Sequence, residues 1–421
     1  MRITILALGS TGDILPYASL GAGLRCAGHA VSFITSENFR PLLIEKGIDP
    51  ILIPGDAERI MVNAGASYRS ILLGFRDLAE GIVLHAERLI PVLAESDLIL
   101  NQLPMGAYGF AIAEKYGVPY WLVATIPLVR TASFPMVGWL DKFSAVPGYN
   151  RMTYRLSEGV AWQLLKGSIN RWRASALGLP SISGSDYLKA LHESGLRVLN
   201  GFSRHVFSRP TDWGSNIFMT GSWHSQDSSW KASEKLMRFI ESGNRPLFIG
   251  FGSMPLSNPE ETTQLILQAL EESGQRAILH KGWGGLGGNS LPDTVFQIDY
   301  AAYEWLFPRM AAVIHHGGSG TTAAALRAGV PSLIVPFLFD QFYWGRRVTA
   351  LGVGPQAIPF RQLTSRRLAT QIHRAVEDPA LRAQAQQLGK KLQAENGIEN
   401  ATKIIEQFLS GPASASARDS S

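Results

Sequence analysis

The chain has 421 residues, more than one ordinary hydrophobic core serves, so two domains are expected. Hydrophobic residues make up 46% of it and charged residues 17%, which indicates a well-buried globular protein, and its one cysteine, Cys26, excludes an internal disulfide and a cysteine-based zinc site. The net charge of +5 is small and spread along the chain, which suits an anionic small ligand or a membrane surface better than sequence-specific nucleic-acid binding.

The first half of the chain alternates short apolar runs with helix patterns. The run at 3–8 is too short for a signal peptide and no small-residue cleavage site follows it, so it is predicted to be a buried strand. No window approaches the ~18 consecutive apolar residues of a membrane-spanning helix, and the protein is expected to be cytoplasmic, with peripheral membrane contact left open. Further strands are predicted at 30–35, 51–53, 97–101 and 120–125, and helices at 15–27, 39–46 and 109–116.

The alternation is interrupted between residues 127 and 178, where helices and loops are expected to cover the sheet. Strands return at 196–200, 217–220, 246–251, 277–280, 295–298, 313–315 and 332–337. This order predicts an α/β protein with two Rossmann-like, doubly wound parallel sheets. The expected division is an N-terminal domain at 1–225, a polar linker at 226–245, a C-terminal domain at 246–395, a helix at 396–409 that crosses back to the N-terminal domain, and a disordered tail at 410–421.

The most informative stretch reads His-His-Gly-Gly-Ser-Gly-Thr-Thr and runs from His315 to Thr322, between a predicted strand and a helix pattern that ends at Gly329. At such a turn the first N–H groups of the helix lack partners and carry the positive end of the helix dipole. Small residues let a ligand approach the backbone closely. The stretch therefore predicts an anion site, with phosphate favoured. It lacks the Lys-Ser/Thr ending of a P-loop.

Three further turns follow predicted strands and carry polar groups. Ser253, in Phe-Gly-Ser-Met-Pro, offers a hydroxyl that could bind phosphate. Asp340 and Gln341 can hydrogen-bond sugar hydroxyls, although the aspartate alone is also a common helix cap. Asp13, in Gly-Ser-Thr-Gly-Asp after the first strand, is either an N-cap carboxylate or a general base. In open α/β sheets, ligands bind at the carboxyl ends of the strands, where these turns lie.

Together these motifs resemble the inverting, family-1 type nucleotide-sugar glycosyltransferases of GT-B architecture, with two Rossmann-like domains facing a central cleft. The resemblance rests on the Trp305–Arg309 run, the His315–Thr322 stretch, the Ala328–Pro331 turn and the segment from Pro336 to Gly345. The Gly-Ser-x-Gly-Asp start is similar to sterol 3-beta-glucosyltransferases and glycopeptide-antibiotic glycosyltransferases. Most plant and animal relatives have histidine at the position of Asp13. The similarity covers roughly residues 1–30 and 246–360 and fades between 55 and 240.

The resemblance implies a role for each matching residue. Asp13 would be the catalytic base, with Ser10, Thr11 and Gly12 near the diphosphate or the acceptor. Asp340 and Gln341 would hold the sugar hydroxyls. The donor diphosphate would contact Ser253, His315, Gly317, Gly318, Ser319, Gly320 and Thr321. The nucleobase would lie near Trp283, which could equally be a core tryptophan, and near the backbone of Tyr300 and Ala301.

The resemblance also implies a mechanism without a cofactor. The chain contains no Asp-x-Asp sequence, so helix N-terminal N–H groups and His315, rather than a metal ion, are expected to take the charge of the leaving diphosphate. The acceptor hydroxyl would attack from the opposite face, and burial would raise the pKa of Asp13 toward a useful value. UDP-glucose is the expected donor. Sterol enzymes usually carry Ala-Pro-His-Asp where this chain has Ala301 to Glu304, so thymidine diphosphate sugars stay open.

The acceptor is expected to be a lipophilic small molecule such as a sterol, triterpenoid or polyketide, without an obligate protein partner or nucleic acid. The segment 139–173 is rich in aromatic and basic residues: Trp139, Phe143, Tyr149, Tyr154, Trp162, Trp172, Lys142, Arg151, Arg155, Lys166, Arg171 and Arg173. It could be a wall for a flat aglycone, an interfacial membrane patch, or ordinary helices with a basic outer face. Two other functions stay open: a catalytically silent nucleotide-sugar-binding protein and a sugar-nucleotide epimerase of the same architecture.

Overall fold

The computed structural model describes residues 1–55, 76–77, 79–103, 105–193, 195–224, 230–288 and 290–411. Two compact units divide this part of the chain. The described residues up to His224, together with Asn396 to Gly411, form the first unit, and Trp230 to Glu395 form the second. Of the predicted tail, residues 412–421 lie outside the described residues, as do residue 225 at the end of the predicted N-terminal domain and residues 226–229 of the predicted linker.

The first unit contains a parallel sheet of seven strands in the order β3-β2-β1-β4-β5-β6-β7. Its strands are β1 Arg2–Leu6, β2 Ala30–Ser36, β3 Asp49–Ile53, β4 Leu98–Gln102, β5 Tyr120–Ala124, β6 Val198–Asn200 and β7 Ile217–Met219. Its helices include α1 Thr11–Cys26, α2 Arg40–Glu45, α3 Ala86–Ala94, α4 Gly106–Tyr116, α5 Tyr149–Arg171 and α6 Gly184–Glu193. The order reverses between β1 and β4, which makes the carboxyl end of β1 a topological switch point.

The second unit repeats the plan with five parallel strands in the order β10-β9-β8-β11-β12. Its strands are β8 Leu247–Gly250, β9 Ala277–His280, β10 Val295–Ile298, β11 Val313–His315 and β12 Ser332–Ile334. Its helices include α7 Glu234–Glu241, α8 Pro259–Ser273, α9 Tyr303–Leu306, α10 Ser319–Ala328, α11 Asp340–Ala350, α12 Ser365–Glu377 and α13 Pro379–Gln393. The switch point lies between β8 and β11.

Strand β8 shows why these apolar runs form central strands. Leu247 and Ile249 pack into the hydrophobic cluster on one face of the sheet, and Phe248 between them packs into the cluster on the other face. Successive strand residues point to opposite faces, so a strand covered on both sides is apolar throughout. The predicted α/β class with two doubly wound parallel sheets is confirmed.

The last helix, α14 Gly397–Leu409, returns to the first unit and packs against α1. Ile398 occupies the space that a side chain at Gly23 would fill, and Phe408 lies 5.1 Å from the ring of Trp121. The guanidinium of Arg197 stacks on Phe408 at 4.6 Å. The C-terminus therefore completes the core of the unit that the N-terminus begins.

The segment 226–245 differs from the plain linker that its polar composition predicts. It contains helix α7, whose Leu236 is buried and packs with the half-buried Phe239 and Ile240 into the core of the second unit. Ser233 caps the helix by accepting a hydrogen bond from the Leu236 N–H at 3.2 Å. The i, i+3, i+4 spacing of the three apolar residues indicates an amphipathic helix. The many polar residues around them obscure this pattern in the sequence. No described helix is long and apolar enough to cross a membrane.

Candidate functional site

The glycine-rich stretch forms the start of helix α10, as predicted. Gly318 is the N-cap, and the first N–H bonded within the helix is that of Thr322, which donates to the Gly318 carbonyl at 2.9 Å. The N–H groups of Ser319, Gly320 and Thr321 precede it and have no acceptor in the helix. The first turn holds no acidic residue. This end of α10 therefore offers positive partial charge and three donors to an anion.

Gly317 brings this turn against the start of α11. It adopts φ = +93°, a conformation that strongly favours glycine. A Cβ atom at Gly317 would lie 3.2 Å from the Gln341 carbonyl oxygen and 2.7 Å from the Cγ2 atom of Ile334. The close approach excludes any larger residue and holds two of the predicted donor-binding motifs side by side.

His315 is held as a neutral hydrogen-bond donor. The Gly317 N–H donates to its Nδ1 atom at 3.2 Å, so the proton of the neutral ring is on Nε2. Nε2 is buried and has no hydrogen-bond partner in the described part of the chain. Burial, and then the neighbouring His316, lower the pKa of His315 well below its usual range. At neutral pH this side chain can therefore donate to a ligand oxygen, and it carries no full charge.

A second histidine, His316, belongs to the same cluster and was not among the predicted site residues. A Cβ atom at Gly252 would lie 2.8 Å from its Cε1 atom, and one at Gly318 would lie 2.5 Å from its Nε2 atom. Its Nδ1 atom is buried and lacks a partner in the described chain. Burial, and then the nearby His280, lower its pKa to about 4. The neutral ring thus fills the space between the turn after β8 and the turn after β11.

The turn after β8 also positions Ser253 and Trp283. The Trp283 N–H donates to the Gly252 carbonyl at 2.9 Å, which ties the loop after β9 to the turn that carries Ser253. Both Ser253 and Trp283 are half-buried. Because Trp283 is not fully buried, its alternative interpretation as a core tryptophan is disfavoured. The side chain of Tyr300 is 62% exposed.

The Asp340–Gln341 pair begins helix α11 after a strained residue. Phe339 has φ = +44°, and it is the one non-glycine residue of the described chain with a positive φ. Such conformations cluster at functional sites. The Gln341 amide oxygen accepts hydrogen bonds from the N–H groups of Phe337 at 2.8 Å and Leu338 at 3.1 Å, and its nitrogen donates to Met254 Sδ at 3.1 Å. The buried amide therefore shapes the turn, a role the sequence did not indicate, whereas Asp340 is half-exposed.

Asp13 lies at the start of α1, where its geometry is compatible with both the capping carboxylate and the general base that the sequence left open. Its Oδ2 atom accepts hydrogen bonds from the Ser10 N–H at 2.8 Å and the Ser10 hydroxyl at 2.9 Å, which caps the helix. A Cβ atom at Gly9 would lie 2.5 Å from Oδ2, so only glycine leaves room for the carboxylate. The other oxygen, Oδ1, has no hydrogen bond to the described residues. Thr11 and Gly12, also predicted near the site, are exposed in the first turn.

The pKa of Asp13 is shifted in the direction that base catalysis needs. Burial raises it, and the two hydrogen bonds from Ser10 oppose that rise without cancelling it. The buried Tyr17 lies one turn further along α1, and burial followed by the charge of Asp13 raises the pKa of its hydroxyl. Asp13 thus sits in surroundings that make its carboxylate a stronger base than an exposed aspartate.

The aromatic residues of the segment 139–173 do not act together as a wall. Tyr154 and Trp172 are 0% exposed and Trp162 is 9% exposed, because the inner face of α5 and the turn that directly follows it pack into the first unit. Trp162 stacks on Tyr187 at 5.4 Å. Three of the six aromatics are therefore core residues, which disfavours the alternative that the whole set forms a wall for the acceptor.

Comparisons with known proteins show the family to which this chain is related. The model of the erythromycin biosynthesis protein CIII-like C-terminal domain matches residues 267–407. The chain is 33% identical to sterol 3-beta-glucosyltransferase UGT80B1 of Arabidopsis thaliana, over 97% of this chain and 68% of that protein. It is 34% identical to a sterol 3-beta-glucosyltransferase of Aspergillus terreus, over 97% of this chain and 30% of that protein. The chain thus spans about two thirds of the plant relative and under a third of the fungal one.

Solved structures share the fold across the whole chain. The glycotransferase of kitacinnamycin superposes with a TM-score of 0.71 at 19% identity, covering 97% of this chain and 99% of that one. The glycosyltransferase VinC in complex with DTDP superposes with a TM-score of 0.61 at 19% identity, covering 98% of this chain and all of that one. The GT-B architecture inferred from the motifs is confirmed.

Proposed function

This chain belongs to the glycosyltransferase family of the sterol 3-beta-glucosyltransferases, and we propose that it transfers glucose from UDP-glucose to a hydroxyl of a lipophilic small molecule, with inversion. The family resemblance drawn from the motifs is confirmed, and the silent-protein and epimerase alternatives are not favoured, since the curated relatives are transferases. Sterols, triterpenoids and polyketides are the acceptor classes that we propose. Glucose and uridine are likewise proposals.

The start of α10 is the observation that carries the donor proposal. The N–H groups of Ser319, Gly320 and Thr321 lie at the positive end of the helix dipole. His315 adds a buried donor at Nε2. The diphosphate would accept from these groups and from the Ser253 hydroxyl. Because His315 and His316 are neutral, stabilisation of the leaving group would come from oriented dipoles, which need no reorganisation during the reaction.

Asp13 would act as the base. The acceptor oxygen forms a bond to the anomeric carbon, the bond from that carbon to the diphosphate oxygen breaks, and its electron pair leaves with the diphosphate. The acceptor proton goes to the carboxylate of Asp13, whose Oδ2 remains fixed by Ser10. Burial raises the pKa of Asp13, so the carboxylate accepts the proton more readily as the C–O bond forms.

For the sugar, we propose that Asp340 contacts the hydroxyls. Gln341 would contribute by shaping the turn, because both ends of its amide already take part in hydrogen bonds within the second unit. Trp283 would lie near the nucleobase. No residue in this scheme requires a metal ion, and metal independence stays a prediction.

The test is mass-spectrometric detection of glycoside in the presence of EDTA. UDP-glucose and dTDP-glucose would each be incubated with sterols, triterpenoids, polyketides and flavonoids in detergent. A glucoside formed with EDTA supports the proposed transfer, and cleavage of that product by a β-glucosidase supports the inversion. Tight binding of the nucleotide sugar without product from any pair would favour a silent binding protein, and turnover of the nucleotide sugar without acceptor would favour an epimerase.

A further inference from the structure

Exposed apolar side chains are concentrated on one part of the first unit. Twelve large apolar side chains of the described chain are exposed, and half of them lie between residues 140 and 160. These are Leu140, Phe143, Val146, Met152, Leu156 and Val160, exposed by 42% to 56%, and we call them the 140–160 surface. Such a concentration of exposed apolar side chains marks an interaction site.

The helix α5 arranges its share of this surface as a stripe. Met152, Leu156 and Val160 recur every four residues and therefore lie on one face of the helix. Arg151 and Arg155 recur at the same interval one residue earlier, so they form a second stripe beside the apolar one. The inner face of the same helix is buried, with Tyr154 at 0% exposure. The outer face is thus amphipathic in its own right.

The charge of this surface has one sign. Lys142, Arg151 and Arg155 are exposed, whereas Asp141 and Glu158, the acidic residues between 140 and 160, are half-buried. Glu158 accepts hydrogen bonds from Arg130, and its Oε1 atom lies 3.3 Å from His192 Nε2. Arg151 is paired with Asp212 at 3.2 Å. Lys142 and Arg155 therefore supply most of the uncompensated positive charge.

We propose that the 140–160 surface binds an anionic lipid bilayer. A helix that carries an apolar stripe beside basic residues can lie in the plane of a membrane interface, with the stripe at the boundary of the acyl chains and the cations at the headgroups. A bilayer matches both stripes without a preformed groove, whereas a protein partner would need an apolar groove flanked by acids. The biological role of this membrane binding rests on the proposed function, because the bilayer would give access to a lipophilic acceptor dissolved in it. Membrane binding itself does not depend on the proposed function.

The test is sedimentation of the full chain with vesicles. Phosphatidylcholine vesicles with phosphatidylserine should bind wild type, while pure phosphatidylcholine vesicles and high salt should weaken binding. The variant Met152→Gln/Leu156→Gln/Val160→Gln should bind at least about tenfold more weakly, and Lys142→Gln/Arg155→Gln about tenfold or more at low salt. The matched control Ile44→Gln/Leu84→Gln/Lys115→Gln removes two apolar side chains and one cation that are exposed elsewhere in the same unit, and should bind like wild type.

Three outcomes would overturn the inference: no binding of wild type to the anionic vesicles, equal binding by the apolar-stripe variant, or a change in oligomeric state as the sole effect of that variant. Glycoside formation from a detergent-dissolved acceptor separates this inference from the proposed function. The apolar-stripe variant should retain that activity. Vesicle binding without any transferase activity would refute the proposed function and support membrane binding by the 140–160 surface. Transferase activity without vesicle binding would support the proposed function and refute membrane binding.

Discussion

Two strand-to-helix turns of this protein have similar small, polar sequences, and we propose opposite roles for them. The first turn of α1 reads Ser-Thr-Gly-Asp from Ser10, and the first turn of α10 reads Gly-Ser-Gly-Thr from Gly318. Asp13 and Thr321 occupy the same position, the third residue of the helix. In α1 a carboxylate of the chain already neutralises the helix end, whereas α10 leaves its donors for a ligand. We therefore propose that this one residue decides whether such a turn presents a base or binds an anion.

Removing the carboxylate of α1 should have the largest effect on activity. Asp13→Asn preserves the side-chain volume and an acceptor for the Ser10 N–H, but the amide cannot take the acceptor proton. We expect kcat to fall by about a hundredfold or more, with an unchanged Kd for UDP. Steady-state glycoside formation and calorimetric titration of UDP measure the two quantities. Activity within a few-fold of wild type would remove Asp13 from the role of base.

Removing the buried donor beside α10 should have the converse effect. His315→Leu removes the Nε2–H donor and supplies no other, and we expect the Kd for UDP to rise about 10- to 100-fold, the worth of a hydrogen bond to a charged acceptor. His373→Leu, at an exposed position on α12, is the matched control. A Kd for UDP equal to that of the control would show that the diphosphate does not use His315.

Stability should depend on pH through the neutral histidines. The pKa of His316 is about 4 in the folded protein, against about 6.5 in an unfolded chain, so between these values the unfolded state binds more protons. The free energy of unfolding should therefore fall by about 1 kcal/mol per pH unit as the pH drops from 6.5 to 4. His316→Asn should flatten this slope in denaturant titrations, relative to His373→Asn. An unchanged slope would mean that His316 is not held neutral.

The smallest expected effect is on the pKa of Asp13 in α1, through the hydroxyl of Ser10. The Ser10 hydroxyl lowers the pKa of Asp13 by donating to Oδ2, so Ser10→Ala should raise that pKa further. The acidic limb of the kcat/KM profile should then move to higher pH, because the base becomes protonated earlier. Ser185→Ala removes an exposed serine hydroxyl that takes part in a hydrogen bond elsewhere in the first unit, and should leave the limb in place. A limb that does not move in Ser10→Ala would indicate that it reports another group.

The contrast also shows what can be predicted from sequence. The strands and the start of α10 were predicted because continuous apolar runs and a glycine-rich turn are local signals. Two other features were not predicted, since they depend on residues far apart in the chain. They are the place of His316 between Gly252 and Gly318 and the hydrogen bonds of the Gln341 amide. Helix α7 was missed because its three apolar residues lie in a polar segment. Local pattern predicts elements, and tertiary neighbours decide what a side chain does.

The most direct test makes the turn of α10 resemble that of α1. Thr321→Asp places a carboxylate at the position that Asp13 holds in α1, and Thr321→Asn is its neutral match. Calorimetric titration should show UDP binding at least about a hundredfold weaker in Thr321→Asp than in Thr321→Asn, while both retain the wild-type Tm or exceed it. Equal affinities for UDP in the two variants would contradict the claim that this helix end binds the diphosphate.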